Sequence, residues 1–296
     1  MKKINFEGSH VALVTPFGKD GKIDEGAFAA LVGRQLRAKT AGLVPVGSTG
    51  ESSALSAEEH ARLISLSVRQ AKGKKLVIAG VASNVTERAA ELAREASDLG
   101  ADALLVLAPY YNKPTQDGLY RHFLEVANAT SLPILVYNIP GRTGVNVLPQ
   151  TLARLARACP QIAGVKEASG SVEQSSDAAL LCPRSFVILS GDDSLTVPLI
   201  SVGASGVISV LANVIPNETA ELCRLALSGR REQALAMHLK MLPLVRALFA
   251  QTNPIPVKAA LAMMGLCRQD LRLPLTSLSA EFKPALRAAL KSFDLL

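Results

Sequence analysis

Eight short apolar runs recur along the chain with roughly 20 to 33 residues between successive starts, and this rhythm limits the possible folds more than any other feature. The runs are His10 to Phe17, Gly42 to Ser48, Lys75 to Val81, Ala103 to Tyr110, Pro133 to Pro140, Ile162 to Ser169, Phe186 to Asp193 and Gly206 to Asn213. A parallel strand covered on both faces reads as a continuous apolar run, as these do. Helical patterns lie between them. Asp24, Ser56 with Glu59, Asn84 with Glu87, and Ser171 with Gln174 read as helix N-caps or capping boxes. Eight strand-helix units in about 225 residues predict an α/β chain closed into a (β/α)8 TIM barrel. An open doubly wound sheet would want a G-x-G-x-x-G turn after its first strand, but Thr15, Pro16, Phe17 and Gly18 stand there. After Pro216 the patterns are helical, over Glu218 to Ser228, Glu232 to Phe249, Val257 to Met264 and roughly Ser279 to Lys291. The expected organisation is a barrel over residues 1–225 and a C-terminal helical extension over 226–296.

Composition removes several classes of function. With 49% hydrophobic residues and no low-complexity linker, the chain can bury one large core. Met1 to Glu7 has two lysines and no apolar segment after them, and no run approaches the length of a membrane span, so a cytoplasmic protein without membrane contact is expected. Four cysteines lie far apart and read as reduced core residues, while four histidines form no metal-binding spacing, so no metal centre is expected. The formal charge of +7 is spread along the chain, its densest cluster being Lys72, Lys74 and Lys75, and only 4% of residues are aromatic. Nucleic acid is therefore not an expected partner.

The residue types that carry chemistry fall at the strand ends, where a barrel holds its active site. Lys166 is out of place in the apolar run Ile162 to Ser169, where alternation turns Val165 and Lys166 to opposite faces. Two readings are open: a core lysine paired with a carboxylate, or a desolvated amine. A free lysine titrates near pH ~10.4, and burial can lower this by about 3 to 5 units, which makes a nucleophile able to form a Schiff base. Gly47-Ser48-Thr49-Gly50-Glu51-Ser52 ends the second run, and its small residues allow backbone N–H groups to approach a carboxylate. Tyr110 and Tyr111 end the fourth run, and Tyr137, followed by Arg142, ends the fifth. Gly191 with Asp192 and Asp193 ends the seventh, and Ile208 lies in the eighth.

At these residues the chain resembles the class I pyruvate-dependent aldolases, from Ala12-Leu13-Val14-Thr15-Pro16-Phe17 through Thr252-Asn253-Pro254-Ile255-Pro256-Val257-Lys258. The resemblance implies a (β/α)8 barrel with a helical C-terminus, assembled as a homodimer or homotetramer, and no cofactor beyond the imine made with the substrate. It implies that Lys166 attacks the keto carbon of pyruvate and that Tyr137 shuttles protons beside it. Thr49 and Tyr111 would complete a hydroxyl relay, with Tyr111 reaching the neighbouring subunit's site. Ser48 and Thr49 would hold the pyruvate carboxylate, Gly191 and Ile208 would line the pocket, and Arg142 would bind the carboxylate of a second substrate, aspartate semialdehyde.

Departures within the family sharpen the expectation. Ser48 stands where threonine is commoner in the branch that uses aspartate semialdehyde, and the same serine is common in N-acetylneuraminate and 2-keto-3-deoxy sugar-acid aldolases. Arg142 argues the other way and weighs more, because the sugar-acid enzymes generally lack it. Members inhibited by lysine tend to have histidine and glutamate at the positions matching Ala57 and Arg88, so feedback by lysine is expected to be weak or absent. A non-catalytic carboxylate-binding barrel would need neither a nucleophile nor a relay. A phosphate-binding isomerase is disfavoured by Asp192 and Asp193 near the usual phosphate loops.

Overall fold

The computed structural model describes residues 4–296, so the reading of the N-terminal segment lies outside the described residues at Met1 to Lys3. Strands β1 (Gly8–Ala12), β2 (Gly42–Val44), β3 (Leu76–Val81), β4 (Ala103–Leu107), β5 (Ile134–Asn138), β6 (Ile162–Glu167), β7 (Val187–Ser190) and β8 (Gly206–Ser209) form a closed barrel in chain order. Every neighbouring pair is parallel, and β8 closes on β1 with Gly206 opposite Gly8. Helices α1 (Glu25–Arg37), α2 (Ala57–Ala71), α3 (Thr86–Asp98) and α4 (Gln116–Asn128) follow the first four strands. After β5 come the short α5 (Pro140–Thr143) and α6 (Pro149–Ala158), and α7 (Val172–Leu181), α8 (Thr196–Ser201) and α9 (Pro216–Leu227) complete the ring. The chain ends in α10 (Arg231–Leu248), α11 (Ile255–Met263) and α12 (Lys283–Lys291).

All eight expected strands are present, but most stop short of where the apolar runs stop. Single backbone bonds carry on past several ladders, from Leu13 to the Val44 carbonyl, Ala108 to Tyr137 and Ala168 to Asn138, before the chain turns away. At the end of β2 the cause is local: Pro45 has no N–H to give the ladder, and Val46 turns the chain with a φ of +52°. The turn then lies so close to β3 that a Cβ on Gly80 would stand 2.3 Å from the Val46 carbonyl oxygen.

Three of the four expected helix starts are made. Asp24 accepts the N–H of Ala27, Ser56 and Glu59 form the reciprocal box, and Ser171 accepts the N–H of Gln174. Asn84 does not cap α3, because the residue before that helix is Val85, and its N–H donates to Ser83 Oγ at 3.1 Å. The last expected helix opens with one 3-10 turn, Ala280–Phe282, before α12 begins.

One apolar layer, which includes Phe28, Leu63, Leu104 and Phe123, lies between strands and helices, and each of these side chains contributes about 1.5–3 kcal/mol by leaving water. A second layer fills the barrel interior, with Phe6, Val44, Leu105, Tyr137, Leu189 and Ile208. A third joins Val14, Val210 and Val214 at the mouth to α10, α11 and α12, so the C-terminal helices share a core with the end of the barrel where the strands finish. All four cysteines are free thiols. Among the described residues no helix is long and apolar enough to cross a membrane.

Candidate active site

Tyr137 on β5 and Lys166 on β6 are partners in the ladder, and both side chains turn into the barrel. Lys166 is 5% exposed, and its Nζ sits 4.1 Å from the centroid of the Tyr137 ring. The aromatic face favours a cation there without supplying a counter-charge. Among the described residues Lys166 enters no ion pair. Alternation sends the next residues, Asn138 and Glu167, to the outer face, where Asn138 Nδ2 donates to Glu167 Oε2 at 3.1 Å. Glu167 also accepts from Gln174 Nε2 at 2.9 Å and from the Ser169 N–H at 2.7 Å. The two strands bearing Tyr137 and Lys166 are thus tied together from behind.

Gly191, at the end of β7, leaves room beside the lysine. A Cβ there would stand 2.6 Å from Ala168 Cβ and 3.1 Å from Lys166 Cε, so any side chain would press on the amine's stem. Ile208 is buried in the interior layer that also holds Tyr137.

After β2, Ser48–Gly50 make a single 3-10 turn in which the N–H groups of Gly50 and Ser52 both donate to the Gly47 carbonyl. The N–H groups of Ser48 and Thr49 enter no hydrogen bond among the described residues, which leaves two adjacent donors for an anion. Thr49 is buried, and its hydroxyl accepts from Asn253 Nδ2 at 2.9 Å. Thr15 closes the turn from the other side by donating to the Gly50 carbonyl at 2.7 Å.

Arg142, in α5, stands at the rim of a cleft of about 270 Å³ that Ser48, Tyr110, Asn253 and Arg272 also line. Its guanidinium donates to the Asn253 carbonyl at 2.8 Å. Tyr111 is not gathered into this cleft. It is 88% exposed, its backbone is left-handed with a φ of +73°, and its N–H donates to the Thr143 carbonyl at 3.2 Å. A left-handed tyrosine is strained by on the order of 1–3 kcal/mol, which the surroundings must hold in place.

Four residues at or behind the cleft were not singled out from the sequence: Glu51, Asn253, Lys258 and Arg272. Lys258, on α11, is fully buried and donates to Glu51 Oε1 at 2.7 Å, while Glu51 Oε2 accepts the Arg272 N–H at 3.2 Å. Burial pushes the Lys258 amine below the usual lysine range, and the Glu51 carboxylate works against that push. Arg272 also grips Glu59 on α2 and the Ala54 carbonyl, and both cations lie over the ring of Phe17, at 4.3 Å for Lys258 and 4.4 Å for Arg272. Glu51 itself has a φ of +55°. The signal within reach was that Asn253 and Lys258 stand in the run Thr252 to Lys258, and Phe17 in the run Ala12 to Phe17.

The model of the dihydrodipicolinate synthetase family matches residues 5–293. The 4-hydroxy-tetrahydrodipicolinate synthase of Pelobacter propionicus is 48% identical over 291 residues, 98% of this chain and all of the relative. The crystal structure of dihydrodipicolinate synthase from Aquifex aeolicus superposes with a TM-score of 0.96 at 44% identity, covering 98% of this chain and 99% of that one. A monomeric dihydrodipicolinate synthase variant superposes equally well, at a TM-score of 0.96 and 43% identity, with 98% of each chain covered.

Proposed function

Because the chain belongs to the dihydrodipicolinate synthetase family, we propose that it condenses pyruvate with L-aspartate 4-semialdehyde to 4-hydroxy-tetrahydrodipicolinate, the branch step toward diaminopimelate and lysine, as a cytoplasmic lyase. The observation that carries the reading is Lys166, a buried amine over the Tyr137 ring with no carboxylate partner among the described residues. A structural lysine in such a position would be paired, whereas a nucleophile has to stay free.

The pyruvate carboxylate meets the unused N–H groups of Ser48 and Thr49, and its keto carbon faces Lys166. Attack by the amine and loss of water form an imine, which acidifies the adjacent methyl group. Tyr137, Thr49 and Tyr111 move the protons, since each hydroxyl can both give and accept one. The resulting enamine attacks the aldehyde, whose carboxylate is held by the two-pronged guanidinium of Arg142. The aldehyde's own amine then displaces Lys166 as the ring closes. No cofactor is called for, because the imine itself is the electron sink. The exposed, left-handed Tyr111 supports a homodimer or homotetramer in which this residue completes the neighbour's relay.

The test is intact-protein mass spectrometry after incubation with pyruvate and borohydride, on the wild type and on Lys166→Ala, with aspartate semialdehyde turnover measured in parallel. A pyruvate-sized adduct on the wild type alone, together with turnover, is the expected outcome. An adduct without turnover moves the substrate to a sugar acid, and no adduct ends the reading. Feedback by lysine is weak or absent, because Arg88, paired with Glu91 at 2.7 Å, brings a guanidinium where an ammonium would need a carboxylate. Half-inhibition by sub-millimolar lysine would overturn that part.

A further inference from the structure

We infer that Asn138 and Glu167 are positioning residues whose hydrogen bonds hold the Lys166–Tyr137 couple in fixed relation to the segment that carries Arg142. The inference rests on the function given above, and adds how the places for its two substrates are kept in register. Asn138 follows Tyr137 in β5, Glu167 follows Lys166 in β6, and the two are buried ladder partners. Glu167 enters no ion pair among the described residues, so its carboxylate is met by hydrogen-bond donors alone.

The sense of these bonds is set by the main chain, whose N–H groups can only donate. The Val147 N–H donates to Asn138 Oδ1 at 2.9 Å, which turns the Asn138 amide nitrogen toward Glu167 Oε2 at 3.1 Å and Asn146 Oδ1 at 2.8 Å. The Ser169 N–H donates to Glu167 Oε1 at 2.7 Å. Gln174 Nε2, on α7, donates to Glu167 Oε2 at 2.9 Å, while Gln174 Oε1 accepts from Asn146 Nδ2 at 2.7 Å. Every nitrogen and oxygen of the four side chains thus has a partner, and turning over any one amide sets donor against donor or acceptor against acceptor. Asn138 and Val147 stand on either side of α5, so the Asn138 side chain closes the segment that presents Arg142 at the cleft. One carboxylate therefore fixes both the end of the lysine's strand and the arginine's loop. A misplacement of about 1 Å can cost on the order of a hundredfold in rate, so this link bears directly on turnover.

A network with a single sense can be reversed. In Asn138→Asp two acceptors face each other, and in Glu167→Gln two donors do. In the double variant the new amide donates to the new carboxylate, Asn146 and Gln174 turn their amides over, and the bonds among the four side chains are remade with the same total charge. The experiment measures kcat, the KM for aspartate semialdehyde and borohydride trapping of pyruvate in the wild type, both single variants and the double variant, under conditions where urea unfolding shows each to be folded. We expect each single variant to trap saturating pyruvate, to raise the KM for the aldehyde and to lose roughly ten- to a hundredfold in kcat. The double variant should return kcat to within about threefold of the wild type. Single variants with lowered urea midpoints but wild-type kcat and KM would show a purely structural network and overturn the inference, as would a folded double variant no faster than the single ones. Where any of these does not fold, Gln174→Ala, which removes one donor to Glu167 from the half-buried side, decides: a fall in kcat of about threefold or more is expected, and an unchanged kcat overturns the inference. A wild type that neither traps pyruvate nor turns over the aldehyde fails earlier, at the function itself, and both readings then fall together.

Discussion

Two lysines are buried among the described residues, and they have been given opposite surroundings. Lys166, on β6, and Lys258, on α11, each lie over an aromatic ring, at 4.1 Å and 4.3 Å from its centroid. Lys258 has a carboxylate at 2.7 Å, and that carboxylate is satisfied in turn by the Arg272 N–H. Lys166 has only the ring, and space opened by Gly191. A buried charge is costly unless it is paired and hydrogen-bonded, so Lys258 is what a folding requirement produces and Lys166 is what that requirement alone would remove. Burial identifies neither. The partner, or its absence, does.

Exchanging each lysine for methionine, which fills a similar slot without charge, tests this contrast most severely. Lys166→Met should leave the urea midpoint unchanged or slightly raised while turnover falls by on the order of 10³ or more and the borohydride adduct disappears. A variant that unfolds would mean that Lys166 holds the barrel together, and the contrast would fail.

Lys258→Met should do the reverse. It strands Glu51 as a buried, unpaired anion, and the expected loss is about 3–5 kcal/mol in equilibrium unfolding, with the molecules that remain folded still trapping pyruvate. Adding Glu51→Gln should recover most of that loss. No recovery would show that the pair contributes more than mutual neutralisation.

The smallest effect concerns buried bases without acidic partners. Burial holds His10 and His122 down to about 4, below the ordinary 6.5, with Nε2 of His10 on the Phe6 carbonyl and Nδ1 of His122 on Thr86 Oγ1. The unfolded chain takes up those protons first, so the stability they contribute is full above pH ~6.5 and is lost as pH falls toward ~4. Asp193, pushed up to about 6 by burial, runs the other way and loses its contribution as pH rises through that value. Two histidines should outweigh one carboxyl, giving a net fall in the urea midpoint between pH 6.5 and pH 4 that His10→Gln makes shallower. A midpoint flat across that window would show that the two signs cancel.

The barrel was legible because buried parallel strands announce themselves as apolar runs, and Lys166 because a charge interrupts one of them. The ends of those runs were less legible, since Pro45 and Val46 are apolar like the strand they terminate, and only backbone geometry separates them. Asn84 looked like a cap from its spacing to Glu87, but Ser83 is the residue that accepts the N–H of Val85. The roles proposed for Tyr137 and Arg142 rest on family likeness and on their places at or after the end of β5. The partners of Thr49 and Glu51 had no local signal at all, because nothing near either position in the chain says what will meet it.

The hydrogen bond from Asn253 to Thr49 spans 204 residues of sequence, and that from Lys258 to Glu51 spans 207. Contacts of such separation form only after the chain between them exists and has closed. During synthesis, strand β6 with Lys166 is therefore made while the turn after β2 still lacks both cross-links. On the function proposed above, the substrate site of the barrel is complete only once the C-terminal helices have been made.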